Sequence, residues 1–169
     1  MSDPGNLPFD PITEAMRHWR GHGWTEAEPG MGLVTSVIRV EQILSARAEE
    51  DVKPFGLTFA RYEVLMLLSF STTGSLPLGK IGERLQVNAA SVTNAVDRLE
   101  AQGLVTRLPN PDDGRGTLAA VTAVGRRVAD RATVAMNANV FSDLGLDEPA
   151  LHALFDSLVH LRRAAGDFD

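Results

Sequence analysis

The sequence predicts a mainly α-helical fold with a small two- or three-stranded antiparallel wing late in the chain. Three observations predict it. Apolar residues recur at helical spacing over most of the 169 residues. Two helical segments, 78–85 and 88–102, are separated by a turn of only a few residues. A cluster of turn formers, Asn110-Pro111-Asp112-Asp113-Gly114, then lies between two short β-prone runs.

The elements follow in order. Asp10-Pro11 reads as an N-cap followed by proline at the first helical position. Ile12, Met16 and Trp19 make one apolar face of a short helix that Gly21 and Gly23 end, and residues 24–30 read as a loop. A longer helix is expected from about 31 to 52, striped by Leu33, Val37, Val40 and Leu44, widened by Val34 and Ile38, and closed by Pro54 and Gly56. Thr58 caps the next helix, in which Phe59, Tyr62, Leu65, Met66 and Leu68 are expected to be mostly buried. Thr72-Thr73-Gly74 stops it.

Pro77 introduces the short helix 78–85, and Gln86-Val87 is a tight turn. Asn88 is a suitable N-cap for the helix reaching Gln102, and Gly103 is its expected C-terminal glycine. Val92, Val96 and Leu99 lie at i, i+4, i+7 and face the core, which turns Ser91, Thr93, Asn94, Asp97 and Arg98 outward. Strands are expected over 104–108 and 117–121. Thr122 caps a helix running to about 142 with Val124, Val128, Ala132 and Ala135 inward. Asp147 and Pro149 start a last helix with the face Leu151, Leu154, Phe155, Leu158 and Leu161. The architecture is therefore a winged helix-turn-helix between N- and C-terminal helices.

Composition narrows the function. Hydrophobic residues make up 44% of the chain, enough for a core. Cysteine is absent, which removes disulfides, thiolate metal sites and sensing by thiol oxidation. No apolar run approaches the roughly 18 residues of a membrane span, and the first residues lack the apolar core of a secretory signal. A cytoplasmic chain without a membrane partner is expected. The net charge of −6 weighs against nucleic acid. The distribution softens this, because Lys80, Arg84, Arg98, Arg107 and Arg115 balance the acids of residues 76–116.

Two helices joined by so short a turn cross at a steep angle, and the N-terminal outward face of the second can enter a major groove about 12 Å wide. Asn88, Ser91, Thr93 and Asn94 are short polar side chains suited to base edges there. Arg115, at the tip of a glycine-flanked turn, can reach the adjacent minor groove, drawn by its negative potential. Lys80 and Arg84 are candidates for phosphate contact, or else solvated. Without the full motif, the polar side of 88–98 would read as an ordinary solvated helix face.

Residues 57–128 strongly resemble the MarR family of bacterial regulators. The resemblance is carried by SVTNAVDRLEAQGLV (91–105) and by the wing pattern Asp113-Gly114-Arg115 through Thr122. It implies a homodimer on double-stranded DNA, with first and last helices interlocked and two winged lobes over a pseudo-palindromic operator. The family's wing arginine falls on Arg115, and the aspartate bracing it on Asp113. Recognition-helix contacts fall on Asn88, Ala89, Ser91, Thr93 and Asn94, with Arg98 on the backbone. Ala89, Asn94 and Gly114 stand where many relatives carry arginine, so fewer counterions are displaced and non-specific binding is expected to be weak. The implied segments are 1–56 (dimerisation, pocket wall), 57–122 (DNA-binding domain) and 123–169 (dimerisation).

The family's urate-responsive branch places a tryptophan, an acid and an arginine where this chain has Trp19, Glu63 and Arg107. Ala95 replaces another arginine of that branch, so the expected effector is a small aromatic or anionic molecule rather than urate itself. His18 and His22 are four residues apart but lack a third ligand, and no metal or cofactor is expected. A phosphate-binding glycine loop, a nucleophile elbow and a paired-carboxylate setting are all missing, so an enzyme is not expected. The alternative is a winged-helix module that contacts protein without reading DNA, which the acidic charge favours.

Overall fold

A computed structural model describes residues 7–111 and 116–169. Asp113 and Arg115, expected at the wing tip, lie outside the described residues. The chain forms two compact units, one ending at Glu50 and one beginning at Asp51.

The first unit opens with α1 (Pro11–Gly21), whose N-cap Asp10 accepts from the Ile12 amide at 3.0 Å. Next comes α2 (Glu28–Val52), whose last turn belongs to the second unit. This helix starts at Glu28, not near 31 as the sequence suggests. Pro29 reads as loop, yet proline is tolerated in a first helical turn because its missing N–H has no partner there anyway. Glu28 is buried and held by Arg20, whose Nε donates to it at 2.9 Å. Trp24 packs edge-on against Trp19 with centroids 5.2 Å apart, so residues 22–27 form a tight reversal. The apolar stripe of α2 is uncovered: Leu33, Val34, Ile38 and Val40 are each about half exposed.

In the second unit a single 3-10 turn (Lys53–Phe55) leads to α3 (Phe59–Phe70), capped by Thr58. Strand β1 (Ser75–Pro77), α4 (Leu78–Leu85) and α5 (Ala89–Ala101) follow. Then come β2 (Val105–Pro109), β3 (Thr117–Val121), α6 (Ala123–Met136), a π-helical turn (Asn137–Phe141) and α7 (Glu148–Ala164). The strands form one antiparallel sheet in the order β1-β3-β2, with Leu76 and Arg107 both opposite Ala119. The short strand β1 has no alternating pattern of its own. It pairs because Val121 donates to Gly74 O at 2.9 Å just beside it, and Pro77 ends it on the edge, where a missing donor costs nothing.

The core of this unit gathers Leu65 and Leu68 of α3, Ile81 of α4, the inner row of α5, Ala119 of β3 and Met136 of α6, all essentially inaccessible. In α3, Tyr62, Val64, Leu65 and Leu68 are buried, while Phe59 and Met66 are only partly so. The hydroxyls of Tyr62 and Thr133 are 3.0 Å apart and tie α3 to α6. In α6 the inward row matches the sequence reading at Ala132 but lies one residue further along at its other three positions. Gly125, Ala129, Ala132 and Met136 are buried, and Val124 is 46% exposed. The helix is drawn so close to the chain leaving α5 that only a residue without a side chain fits at 125. A Cβ there would overlap the Leu104 carbonyl oxygen, well inside van der Waals contact. Helix α6 also ends at Met136 rather than near 142, its last part relaxing into the π-helical turn.

Gly125→Ala therefore should destabilise the protein although alanine is the better helix former by up to about 1 kcal/mol. A loss above about 1 kcal/mol in urea unfolding is expected. An equal or higher midpoint would mean that α6 does not approach Leu104 this closely.

Candidate nucleic-acid interface

The site is built on α4 and α5. Helix α4 ends at Gln86, the single non-glycine residue with positive φ (54°) among the described residues. That left-handed residue reverses the chain, and Val87 N donates back to Gly82 O at 3.1 Å. Gln86 Nε2 also donates to Asp167 Oδ1 at 2.5 Å, and Arg162 Nε to Asp167 Oδ2 at 2.7 Å, so the chain end is tied to this turn. The Gln86 amide, and next the Arg162 guanidinium, hold the Asp167 carboxyl below its ordinary pKa. Asn88 then caps α5, its Oδ1 accepting from the Ser91 amide at 2.9 Å.

On α5 the two sides separate cleanly. Val92 is 2% exposed, and Val96 and Leu99 are inaccessible. Asn88, Ala89, Ser91, Thr93, Asn94 and Arg98 are all exposed. Their hydrogen-bonding capacities differ. Asn88 spends one lone pair on its cap, and Thr93 donates its hydroxyl proton to Ala89 O at 2.9 Å, leaving it an acceptor. Asn94 makes no intramolecular side-chain bond among the described residues, so both its amide and its carbonyl are available, the pattern needed for bidentate pairing with adenine. The guanidinium of Arg98 pairs with no carboxylate among the described residues. Lys80, on α4, is exposed and paired with Glu83 at 2.8 Å.

Open grooves run along both flanks of α5. One is bordered by Ala89, Thr93, Asn94, Asp97 and Arg98. The other brings Ser91, Asn94 and Arg98 alongside Thr58, Ala60 and Arg61 from the start of α3. Arg61 is a candidate that sequence reasoning misses. Its Nε donates to Thr58 Oγ1 at 3.1 Å, and nothing local to residues 58–61 signals that α5 lies beside them.

The three candidate effector residues are less coherent. Trp19 belongs to the first unit, and Glu63 and Arg107 to the second. Burial pushes the Glu63 carboxyl above its ordinary pKa. Arg107 is already engaged: Nη2 lies 2.6 Å from Asp97 and Nη1 2.5 Å from Glu100. Partial burial lowers the pKa of its guanidinium, but its hydrogen bonds to Glu100 and Asp97 outweigh that and the net shift is upward.

Comparison with known proteins agrees with this fold. A model of the MarR family matches residues 57–117. Sco5413, a MarR family transcriptional regulator from Streptomyces coelicolor, is 50% identical with a TM-score of 0.77, over 83% of this chain and 98% of that one. The chain belongs to the MarR family of transcriptional regulators. YkoM of Bacillus subtilis, described as an uncharacterized HTH-type transcriptional regulator, is 31% identical over 144 residues, 83% of this chain and 88% of its own. A mutant of Escherichia coli MarR complexed with operator DNA shares the fold at 23% identity and a TM-score of 0.73, over 80% of this chain and 96% of that one. The MarR family match spans both α4 and α5, so the outward face described above lies within it. No helix among the described residues is long and apolar enough to cross a membrane.

If the outward face of α5 serves recognition rather than folding, its residues should be dispensable for stability. Ser91→Ala and Asn94→Ala are expected within about 0.5 kcal/mol of the parent in urea unfolding, and Leu99→Ala to lose about 2–5 kcal/mol. Comparable losses on both faces would contradict the division.

Proposed function

We propose that this protein is a ligand-responsive repressor that binds a pseudo-palindromic operator as a homodimer. The observation that carries the reading is the two-sidedness of α5, with Val92, Val96 and Leu99 buried and its polar face of Asn88, Ser91, Thr93, Asn94 and Arg98 open. Helix α5 would lie in the major groove with Asn94 as the principal base reader. Ala89 offers a methyl to thymine, and Arg98 and Lys80 engage phosphates. Arg115, braced by Asp113, would enter the minor groove. The operator-bound E. coli relative supports DNA as the partner.

Two uncovered apolar helix faces support dimerisation. Leu33, Val34 and Ile38 of α2 and Leu154, Phe155 and Leu161 of α7 are each roughly half exposed in the single chain. Burial of a Leu or Phe side chain contributes about 1.5–3 kcal/mol, so a second copy covering these helices gains substantially. Two α5 helices related by the dimer axis would meet half-sites about 34 Å apart. An aromatic cluster in the first unit, Trp19 against Trp24 with His22 stacked on Trp24 at 5.1 Å, supports a small aromatic or anionic effector. Arg107 joins such a site only if it releases its two carboxylates, which disfavours it as the anion clamp.

Fluorescence anisotropy with fragments upstream of the protein's own gene tests the reading, alongside sedimentation for the dimer. Saturable binding that weakens with salt is expected. Asn94→Ala and Arg115→Ala should each cost about 1–3 kcal/mol, and Arg98→Ala should reduce the salt slope by about 1. Absence of binding to every fragment at low salt would favour the alternative, a winged-helix module that contacts protein.

A further inference from the structure

Arg107 joins the two parts of the molecule that the proposed function places on DNA. It lies on β2, the strand leading into the wing hairpin, and three of its donors go to acids of α5. Nη2 reaches Asp97 at 2.6 Å, Nη1 reaches Glu100 at 2.5 Å, and its backbone N–H donates to Glu100 Oε1 at 3.0 Å. Asp97 and Glu100 are three residues apart and so neighbours on one helix face. One planar guanidinium spans both, a grip that a lysine ammonium, acting as a single point charge, does not reproduce.

Asp97 is the anomaly of the recognition helix. Its side chain is 59% exposed and borders the same groove as Ala89, Thr93, Asn94 and Arg98. A free carboxylate there would face a polyanion whose charges are spaced about 1.7 Å along its axis. Its one ion-pair partner among the described residues is Arg107.

We propose that Arg107 is a positioning residue for DNA recognition: it braces the tilt of α5 against β2 and masks the Asp97 carboxylate that would otherwise repel the DNA backbone. The proposal rests on the DNA-binding reading above and adds to it a residue that itself contacts no DNA. Masking and bracing have separable signatures. Repulsion from an exposed carboxylate is screened by salt and vanishes when the charge is removed. A helix merely loosened or misfolded is restored by neither.

The test titrates the full-length protein with a fragment of its own promoter at about 50 mM and about 300 mM salt, where the screening length falls from roughly 14 Å to 6 Å. The variants are Arg107→Ala, Asp97→Asn and the two combined, each checked by thermal melting. Arg107→Ala is expected to bind about tenfold more weakly at low salt, with a smaller deficit at high salt. Adding Asp97→Asn should recover most of the loss, and Asp97→Asn alone should bind at least as tightly as the parent. Parent-like binding by Arg107→Ala overturns the proposal. So does a deficit that is equal at both salts and not relieved by Asp97→Asn. Should Arg107→Ala fail to fold, Asp97→Asn alone decides: a tenfold loss would make Asp97 a base-reading group rather than a masked liability. A parent protein that binds no fragment overturns the DNA-binding reading and this proposal with it, whereas parent binding with an unaffected Arg107→Ala overturns this proposal alone.

Discussion

The interface depends on one constraint, the burial of the inner row of α5. Val92, Val96 and Leu99 are withdrawn from water at one helical period. Each such burial contributes about 1.5–3 kcal/mol, against a total of about 5–15 kcal/mol for a domain. Rotating α5 by a single residue position would expose one of these side chains and bury a polar one in its place. The outward orientation of Ser91 and Asn94 is therefore a consequence of core packing and needs no interaction of its own.

That constraint fixes rotation about the helix axis but leaves its tilt and height open. Small devices supply the remainder. Gln86 takes a backbone conformation costly for a residue with a side chain, by about 1–2 kcal/mol, and so sets a sharp angle between α4 and α5. Gln102 Nε2 donates to Gly56 O at 2.9 Å and holds the far end of α5 to the turn before α3. Gly125 lets α6 press onto Leu104, where the chain leaves α5 for β2. Arg107 then joins β2 to the exposed side of the same helix. Helix α5 is thus braced at its start, its end and its flank, while Asn88, Ser91, Thr93 and Asn94 make no bracing side-chain contact among the described residues beyond the cap at Asn88 and the Thr93 back-bond.

What is legible in the sequence follows from how local each feature is. The boundaries of α4 and α5 and the caps at Asp10, Thr58, Asn88, Thr122 and Asp147 are written in a few adjacent residues, and the structure places them where the sequence does. Periodicity places Ala132 correctly but misplaces the rest of the inner row of α6 by one position, because Val124 is more apolar than Gly125. The winning factor there is a close backbone approach, which hydrophobic periodicity does not encode. Strand β1 escapes the pattern because its pairing is set by β3 and by the reversal at Gly74. Arg61 and the Arg107 pairings are illegible for a similar reason. They depend on which element lies beside which, and a residue such as Arg107 reads equally well as a ligand clamp, a solvated charge or a brace.

Charge raises a different question, because a chain of net −6 is an unpromising DNA binder. Beyond about 8 Å, however, physiological salt screens most of a charge, so the interface feels its neighbours and not the total. Among the described residues those neighbours include Arg98 and Arg61, with Asp97 paired to Arg107 and Lys80 to Glu83. This is enough to avoid repulsion but too little for strong attraction to phosphate. Non-specific affinity grows with the number of phosphates neutralised, and here few cations are on offer. On the proposed reading, most of the binding energy would then come from base edges through groups such as Asn94, and discrimination between operator and bulk DNA would be steeper than in a strongly basic relative.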